Sequence, residues 1–121
     1  MQFNSLTAQE KYVIEAKGTE EPFSGKYYQH FAPGVYNCKK CAFPLYTSAH
    51  KFSSNCGWPS FDSCIPEAVT EQLDQDGVRR EIICSQCSGH LGHVFYGEDA
   101  TATNARHCVN SISLIFTPRN E

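Results

Sequence analysis

The chain has 121 residues, 40% of them apolar and 19% charged, and carries a formal net charge of −3. That length suits one domain, residues 1–121, and the composition is too apolar for a disordered chain and too polar for a membrane protein. No basic tract occurs, which argues against nucleic acid as the main partner, and no apolar stretch is long enough to span a bilayer.

Thr7-x-x-Glu10 reads as a capping box that opens a short helix from about Ala8 to Ala16, with Gly18 as its stop. Residues 18–34 are rich in Gly and Pro with aromatic residues interspersed, the pattern of an ordered loop packed by its own rings. From Val35 onward the signals are β. Gly34 to Cys38 reads as a strand entering a turn. Glu71–Leu73 and Val78–Cys84 flank Asp76-Gly77, a hairpin signal. His90–Phe95 is a further strand. His107–Phe116 has the clearest alternation, with Cys108, Asn110, Ile112, Leu114 and Phe116 on one face. No export segment or Arg-rich transit pattern is visible near the N-terminus, so the expected compartment is the reducing cytoplasm.

Seven cysteines cannot all pair internally. In a reducing compartment they are more often metal ligands or catalytic thiols than disulfides. Cys38-Lys39-Lys40-Cys41 and Cys84-Ser85-Gln86-Cys87 are two CxxC units. Together they can supply the closed tetrahedral S₄ shell of one structural zinc ion per chain, with no open position for chemistry. Such an ion would add folding energy to a domain this small.

Cys56, Cys64 and Cys108 remain. In Arg106-His107-Cys108-Val109-Asn110 a strand would put Arg106, Cys108 and Asn110 on one face, where the guanidinium favours a Cys108 thiolate. Local pattern leaves a buried core cysteine equally open. His90 and His93 reach one site only if the strand carries a bulge at Gly92; imidazoles are the usual general acids near neutral pH. Cys56-Gly57-Trp58-Pro59-Ser60-Phe61 is a compact turn holding the only Trp, either an apolar platform or a core plug.

PFSGKY (22–27), CKKC (38–41), KFSSNCGWPSF (51–61), CSQC (84–87), GHLGHVF (89–95) and RHCVNSISLIF (106–116) resemble the methionine-R-sulfoxide reductase B family in order and approximate spacing. The resemblance implies a mainly β, Mss4-like fold of two antiparallel sheets with a short N-terminal helix, and a zinc site away from the active site. It implies thiol-dependent reduction of the R epimer of methionine sulfoxide in proteins. By motif position Cys108 would be the nucleophile and Cys56 the recycling cysteine. Trp58 would pack against the substrate methyl group, and His90, His93, Asn110 and Arg106 would line the site. A Cys108 sulfenic acid would give a Cys56–Cys108 disulfide, reduced by thioredoxin. The protein would act as a monomer and need no organic cofactor. His93-Val94-Phe95-Tyr96-Gly97-Glu98-Asp99 departs from the family pattern, so either Glu98 or Asp99 can take its acidic position, and Cys64 matches no family motif. Two other readings fit part of the pattern: a zinc-binding Mss4-like module without catalysis, and a thiol oxidoreductase of another class.

Overall fold

The computed structural model of the protein describes residues 3–119. Helix α1 (Ala8–Ile14) opens with the capping box: Glu10 N donates to Thr7 Oγ1 at 3.2 Å, and Thr7 N donates to Glu10 Oε1 at 2.8 Å. It stops two residues short of the expected Ala16, because Lys17 adopts a left-handed φ of 62° and Gly18 N reaches back to Tyr12 O. Seven residues are too few to be helical alone, so α1 relies on burying Val13 and Ile14. The loop that follows is ordered by its rings, as its composition suggests. Tyr27 packs edge-on against Tyr36 and His30, and Tyr28 Oη donates to Ser54 O at 2.6 Å.

Among the described residues, nine strands form two antiparallel sheets. They are β1 (Gly34–Cys38), β2 (Pro44–Thr47), β3 (Lys51–Phe52), β4 (Ser60–Phe61), β5 (Val69–Leu73), β6 (Arg80–Cys84), β7 (His90–Tyr96), β8 (Ala105–Val109) and β9 (Leu114–Pro118). One sheet has the order β2-β1-β9, the other β3-β4-β8-β7-β6-β5. The core between them holds Tyr36, Tyr46, Phe61, Leu45, Ile82, Val94 and Leu114, with Tyr46 stacked on Phe61 at 4.1 Å between centroids. His107 is buried here and its Nδ1 lies 2.8 Å from Tyr46 Oη.

Three local differences from the sequence reading have physical causes. The β5–β6 hairpin turns through residues 74–79, and β6 starts at Arg80 rather than Val78, because the Asp76 carboxylate accepts from the Val78 and Arg79 amides. The short strands β2, β3 and β4 lack the alternation that would have marked them. The single strand expected over His107–Phe116 is two strands in different sheets, separated by a 3₁₀ turn at Ser111–Ser113. Polar side chains break it by bonding outside the ladder. Asn110 Nδ2 donates to Leu91 O at 3.0 Å, Ser113 Oγ donates to His90 O at 2.9 Å, and Ile112 N donates to Glu20 Oε1 at 2.9 Å. Ile112 and Leu114 therefore do not extend the Arg106–Cys108 face.

Strand β7 is bulged. Gly92 faces Ile82 and His90 faces Ile83, leaving Leu91 as the extra residue. The bulge brings His90 and His93 to one side, their ring centroids 5.6 Å apart. A Cβ on Gly92 would collide with the Cys108 carbonyl oxygen of β8. Gly92→Ala should therefore force the two strands apart and cost about 1–3 kcal/mol, read as a lower urea midpoint. An unchanged midpoint would show that this approach is not tight.

Candidate active site and metal centre

Each CxxC unit begins at the end of a strand, Cys38 in β1 and Cys84 in β6. The two turns are built alike. Cys38 N donates to Phe43 O and Ala42 N to Cys38 O; Cys84 N donates to Gly89 O and Ser88 N to Cys84 O. Ala42 and Ser88, each following the second cysteine, take positive φ. The four sulfurs lie within 4.8 Å of one another, with the Cys38–Cys87 and Cys41–Cys84 pairs at 3.6 Å. A tetrahedral zinc shell with Zn–S near 2.3 Å needs sulfurs about 3.8 Å apart. The donor set and its spacing fit such an ion, and among the described residues no histidine or carboxylate joins the cluster.

The remaining chemistry converges on a second place. A pocket of about 160 Å³ is lined by Cys56, Trp58, His93, Arg106, Cys108 and Asn110, with Thr19, Arg79, Gly92 and Phe95. Sheet register explains the convergence. Gln72, Glu81, His93, Cys108 and Ser60 form one row across β5, β6, β7, β8 and β4, so their side chains share a face. The Cys56–Trp58 turn closes over the end of this row, with Gly57 at φ 96° and Phe23 N donating to Gly57 O. Trp58 is half-exposed rather than a core plug, and its Nε1 donates to Glu20 O at 3.1 Å.

Cys56 Sγ and Cys108 Sγ are 3.8 Å apart. So close a pair shares one proton, because a second negative charge would face the first. The hydrogen bond from Cys108 draws the Cys56 thiol down to about 4, against its burial, helped by Ser54 Oγ at 3.2 Å and Ser60 Oγ at 3.3 Å. The same bond, and then burial, push the Cys108 thiol up, while Arg106 pulls it down. The guanidinium thus acts in the direction its position two residues away suggests, while the hydrogen bond between the two sulfurs opposes it at Cys108. Arg106 also shares its charge with Glu98, through Nε–Oε1 at 2.7 Å and Nη2–Oε2 at 3.1 Å. That bond holds the Glu98 carboxyl below its ordinary range. Glu98 is therefore the acid that pairs with Arg106, whereas Asp99 sits in the following turn at φ 57°.

The two histidines differ. His93 lines the pocket, with Nε2 at 2.6 Å from Asp74 Oδ2. His90 lies behind it, 2% exposed, with Nδ1 at 2.7 Å from Glu81 Oε2 and no hydrogen-bond partner for Nε2. Burial lowers the His90 pKa against the pull of Glu81. Burial pushes the Glu81 carboxyl up, yet bonds from Gln72, Lys17 and His90 leave it below its ordinary value. Asn110 is held from three sides: its backbone N and its Nδ2 both donate to Leu91 O, and its Oδ1 accepts from Glu20 N. Cys64 packs against the core outside the pocket, its thiol pushed up by burial.

Sequence reading did not find Ser54, Ser60, Asp74, Glu81, Arg79 or Phe95 as site residues. Ser54, Ser60 and Phe95 lie inside motifs that were quoted. Asp74, Glu81 and Arg79 carry no local signal, because strand register alone brings them to the site.

The SelR domain family matches residues 6–118. The chain is 52% identical over 116 residues to the chloroplastic peptide methionine sulfoxide reductase B2 of Arabidopsis thaliana, covering 95% of this chain and 57% of that protein. It is 50% identical over 114 residues to peptide methionine sulfoxide reductase B5 of Oryza sativa subsp. japonica, covering 93% of this chain and 84% of that one. It therefore spans little more than half of the first relative's length and most of the second's. Among solved structures, the crystal structure of the Mis18 'Yippee-like' domain aligns at a TM-score of 0.54 and 17% identity, over 74% of this chain and 99% of that one. This last likeness is one of fold, and it agrees with the expected Mss4-like arrangement of two antiparallel sheets.

Two measurements check the site. Alkylation with iodoacetamide at pH 6 should modify Cys56 first, because above about 4 it is already thiolate while ordinary thiols stay protonated until about pH 8.5. Equal labelling of Cys56 and Cys64 at pH 6 would contradict the shared-proton arrangement. Cys84→Ser should lose the metal measured by elemental analysis and lower stability, and retention of one equivalent of metal would exclude the four-sulfur centre.

Proposed function

The chain belongs to the SelR domain family, that of the peptide methionine sulfoxide reductases B, and on that premise we propose that it reduces the R epimer of methionine sulfoxide in oxidised proteins to methionine. The observation that carries this reading is the 3.8 Å Cys56–Cys108 pair in one pocket with an apolar wall at Trp58 and a histidine at His93.

The chemistry follows from these groups. Cys108 passes its proton to the Cys56 thiolate beside it and becomes the nucleophile. It attacks the sulfoxide sulfur as the oxygen receives a proton from His93. The oxygen ends on Cys108, so that Cys108–SH and R₂S=O become Cys108–SOH and R₂S. Cys56 then attacks the sulfenic sulfur, water leaves, and a Cys56–Cys108 disulfide forms. Thioredoxin supplies two electrons and two protons to reopen it. Arg106, with Glu98, biases the charge at Cys108. Asn110 and the buried His90 hold the backbone and the neighbouring ring in place. Trp58 takes the substrate methyl group, and the R preference arises because apolar surface and proton donors lie on opposite sides of the sulfur. No step calls for an organic cofactor.

Cys38, Cys41, Cys84 and Cys87 hold one zinc ion per chain, which when bound supplies folding energy and takes no part in the reaction. Residues 1–121 act as a single reductase domain and as a monomer. A reducing cytoplasm suits it, since both a four-cysteine zinc site and a recycled pair of thiols need reduced cysteines. No helix among the described residues is long and apolar enough to cross a membrane.

Mixed epimers of methionine sulfoxide incubated with dithiothreitol should lose the R form alone, as read by chiral analysis. Disulfide or peroxide turnover without loss of sulfoxide would point to another thiol oxidoreductase. Cys108→Ser should abolish activity with every reductant. Cys56→Ser should still reduce about one equivalent, since the oxygen is taken by Cys108 alone, but more slowly because Cys108 loses its neighbouring base, and it should recycle poorly with thioredoxin, whereas Cys64→Ser should match the parent. Trp58→Ala should weaken kcat/KM by an amount equivalent to about 1–3 kcal/mol of lost apolar contact.

A further inference from the structure

The hairpin turn between β5 and β6 lies outside every motif that points to catalysis, yet it delivers two side chains to the active site. Its residues brace one another. Asp74 N donates to Arg79 O at 2.8 Å and Gly77 N to Asp74 O at 3.0 Å. The Asp76 carboxylate takes the Val78 and Arg79 amides and Arg79 Nε. Asp76 N in turn donates to Asp74 Oδ1 at 3.4 Å, which leaves Oδ2 for His93 Nε2 at 2.6 Å. Both partners are largely shielded, at 13% and 14% side-chain exposure, so the contact is not an exposed ion pair of little worth. Arg79, from the same turn, lines the pocket.

We propose that Asp74 is the positioning residue for His93, and that the β5–β6 turn is thereby part of the reductase site. With Nε2–H committed to the carboxylate, Nδ1 is the ring nitrogen left for the pocket. His93 stands opposite Cys108 in the strand register. A ring held this way presents one defined nitrogen to the substrate oxygen, as a carboxylate orients a histidine that moves a proton. The His90 ring packs edge-on against His93 and limits its rotation. His90 cannot substitute, because it is buried behind the pocket with its own carboxylate, Glu81, and burial disfavours its charged form. Asp74 itself stays ionised, since its bond to His93 holds its carboxyl below the ordinary range. Proton balance is unchanged from the reaction above: one proton leaves His93 Nδ1 for the sulfoxide oxygen, and Asp74 keeps its charge throughout.

This inference rests on the reductase reading, and the test separates the two. Asp74→Asn offers His93 an amide that can donate to Nε2 and reverse the tautomer. In single turnover with R-methionine sulfoxide it should slow the reductase step by about 10²-fold, the scale of a lost general acid, with KM nearly unchanged. The long-range ¹H–¹⁵N spectrum of His93 should lose its Nε2–H pattern, while metal content stays the same. Asp74→Glu, which restores a carboxylate, should recover part of the rate. In a His93→Gln background, Asp74→Asn should cost nothing further. Asp74→Ser, which keeps an oxygen acceptor for the Asp76 amide, repeats the measurement should the Asn variant fail to fold. A parent that reduces no R epimer would remove the reductase reading. An active parent whose Asp74 variants keep both rate and ring spectrum, or lose equal rate with and without His93, would overturn the role of Asp74 alone.

Discussion

Four sulfurs from the two sheets meet in one cluster that could hold a metal ion, and the rest of the structure is arranged around that meeting point. Cys38 lies at the end of β1 in the three-stranded sheet, and Cys84 at the end of β6 in the six-stranded one. A chain this short buries a limited core, so a link between residues far apart in sequence has a large effect on its stability. The link also sets position. β1 pairs with β9, in which Leu114 faces Cys38, and β6 pairs with the bulged β7. Both neighbours lead directly to the Cys108 region, β9 through the 3₁₀ turn after Asn110 and β7 through the Gly92 contact. A metal ion held by the four sulfurs would therefore reach the Cys56–Cys108 pocket through the fold without touching it.

The site is built on a row of side chains across five strands, with its histidines, Arg106 and Cys56 held by carboxylates or hydroxyls and Asn110 by backbone groups. Asp74 holds His93, Glu81 holds His90, Glu98 holds Arg106, and Ser54 and Ser60 hold Cys56. Such pairing lets charged groups sit in a partly dry pocket without paying the full desolvation cost. It also keeps the pocket from carrying a large excess of either sign, since each guanidinium on its wall, Arg79 and Arg106, has its own acid, Asp76 and Glu98. That arrangement suits a neutral, polar sulfoxide better than a charged ligand.

The two Cys residues of the pocket have different surroundings. Cys56 receives hydrogen bonds from hydroxyls in its own turn, whereas Cys108 is more buried and relies on Arg106 and on Cys56 itself. The two sulfurs, 3.8 Å apart, are in van der Waals contact, close enough to pass a proton between them and to be bridged with little movement of the chain.

The sequence by itself determined the features that depend on short spacings. The capping box at Thr7 and Glu10 marks α1, Asp76-Gly77 marks the hairpin, and the paired CxxC units mark the metal centre, since each needs only neighbours within a few residues. The parity of Arg106 and Cys108 was also legible, as was the need for a bulge between His90 and His93. The roles of Cys56, Cys108 and Trp58 came instead from the resemblance, because residues 56 and 108 are brought together by no local rule. Tertiary structure alone decided the rest. It broke the long alternating run at Asn110, because Leu91, Glu20 and His90 offered partners that the strand ladder did not. It chose Glu98 over Asp99 for Arg106. It gave His93 and His90 separate carboxylates from β5–β6. Partners of this kind depend on strand register across the sheet, and a single extra residue at Leu91 shifts that register in a way that spacing along the chain does not encode.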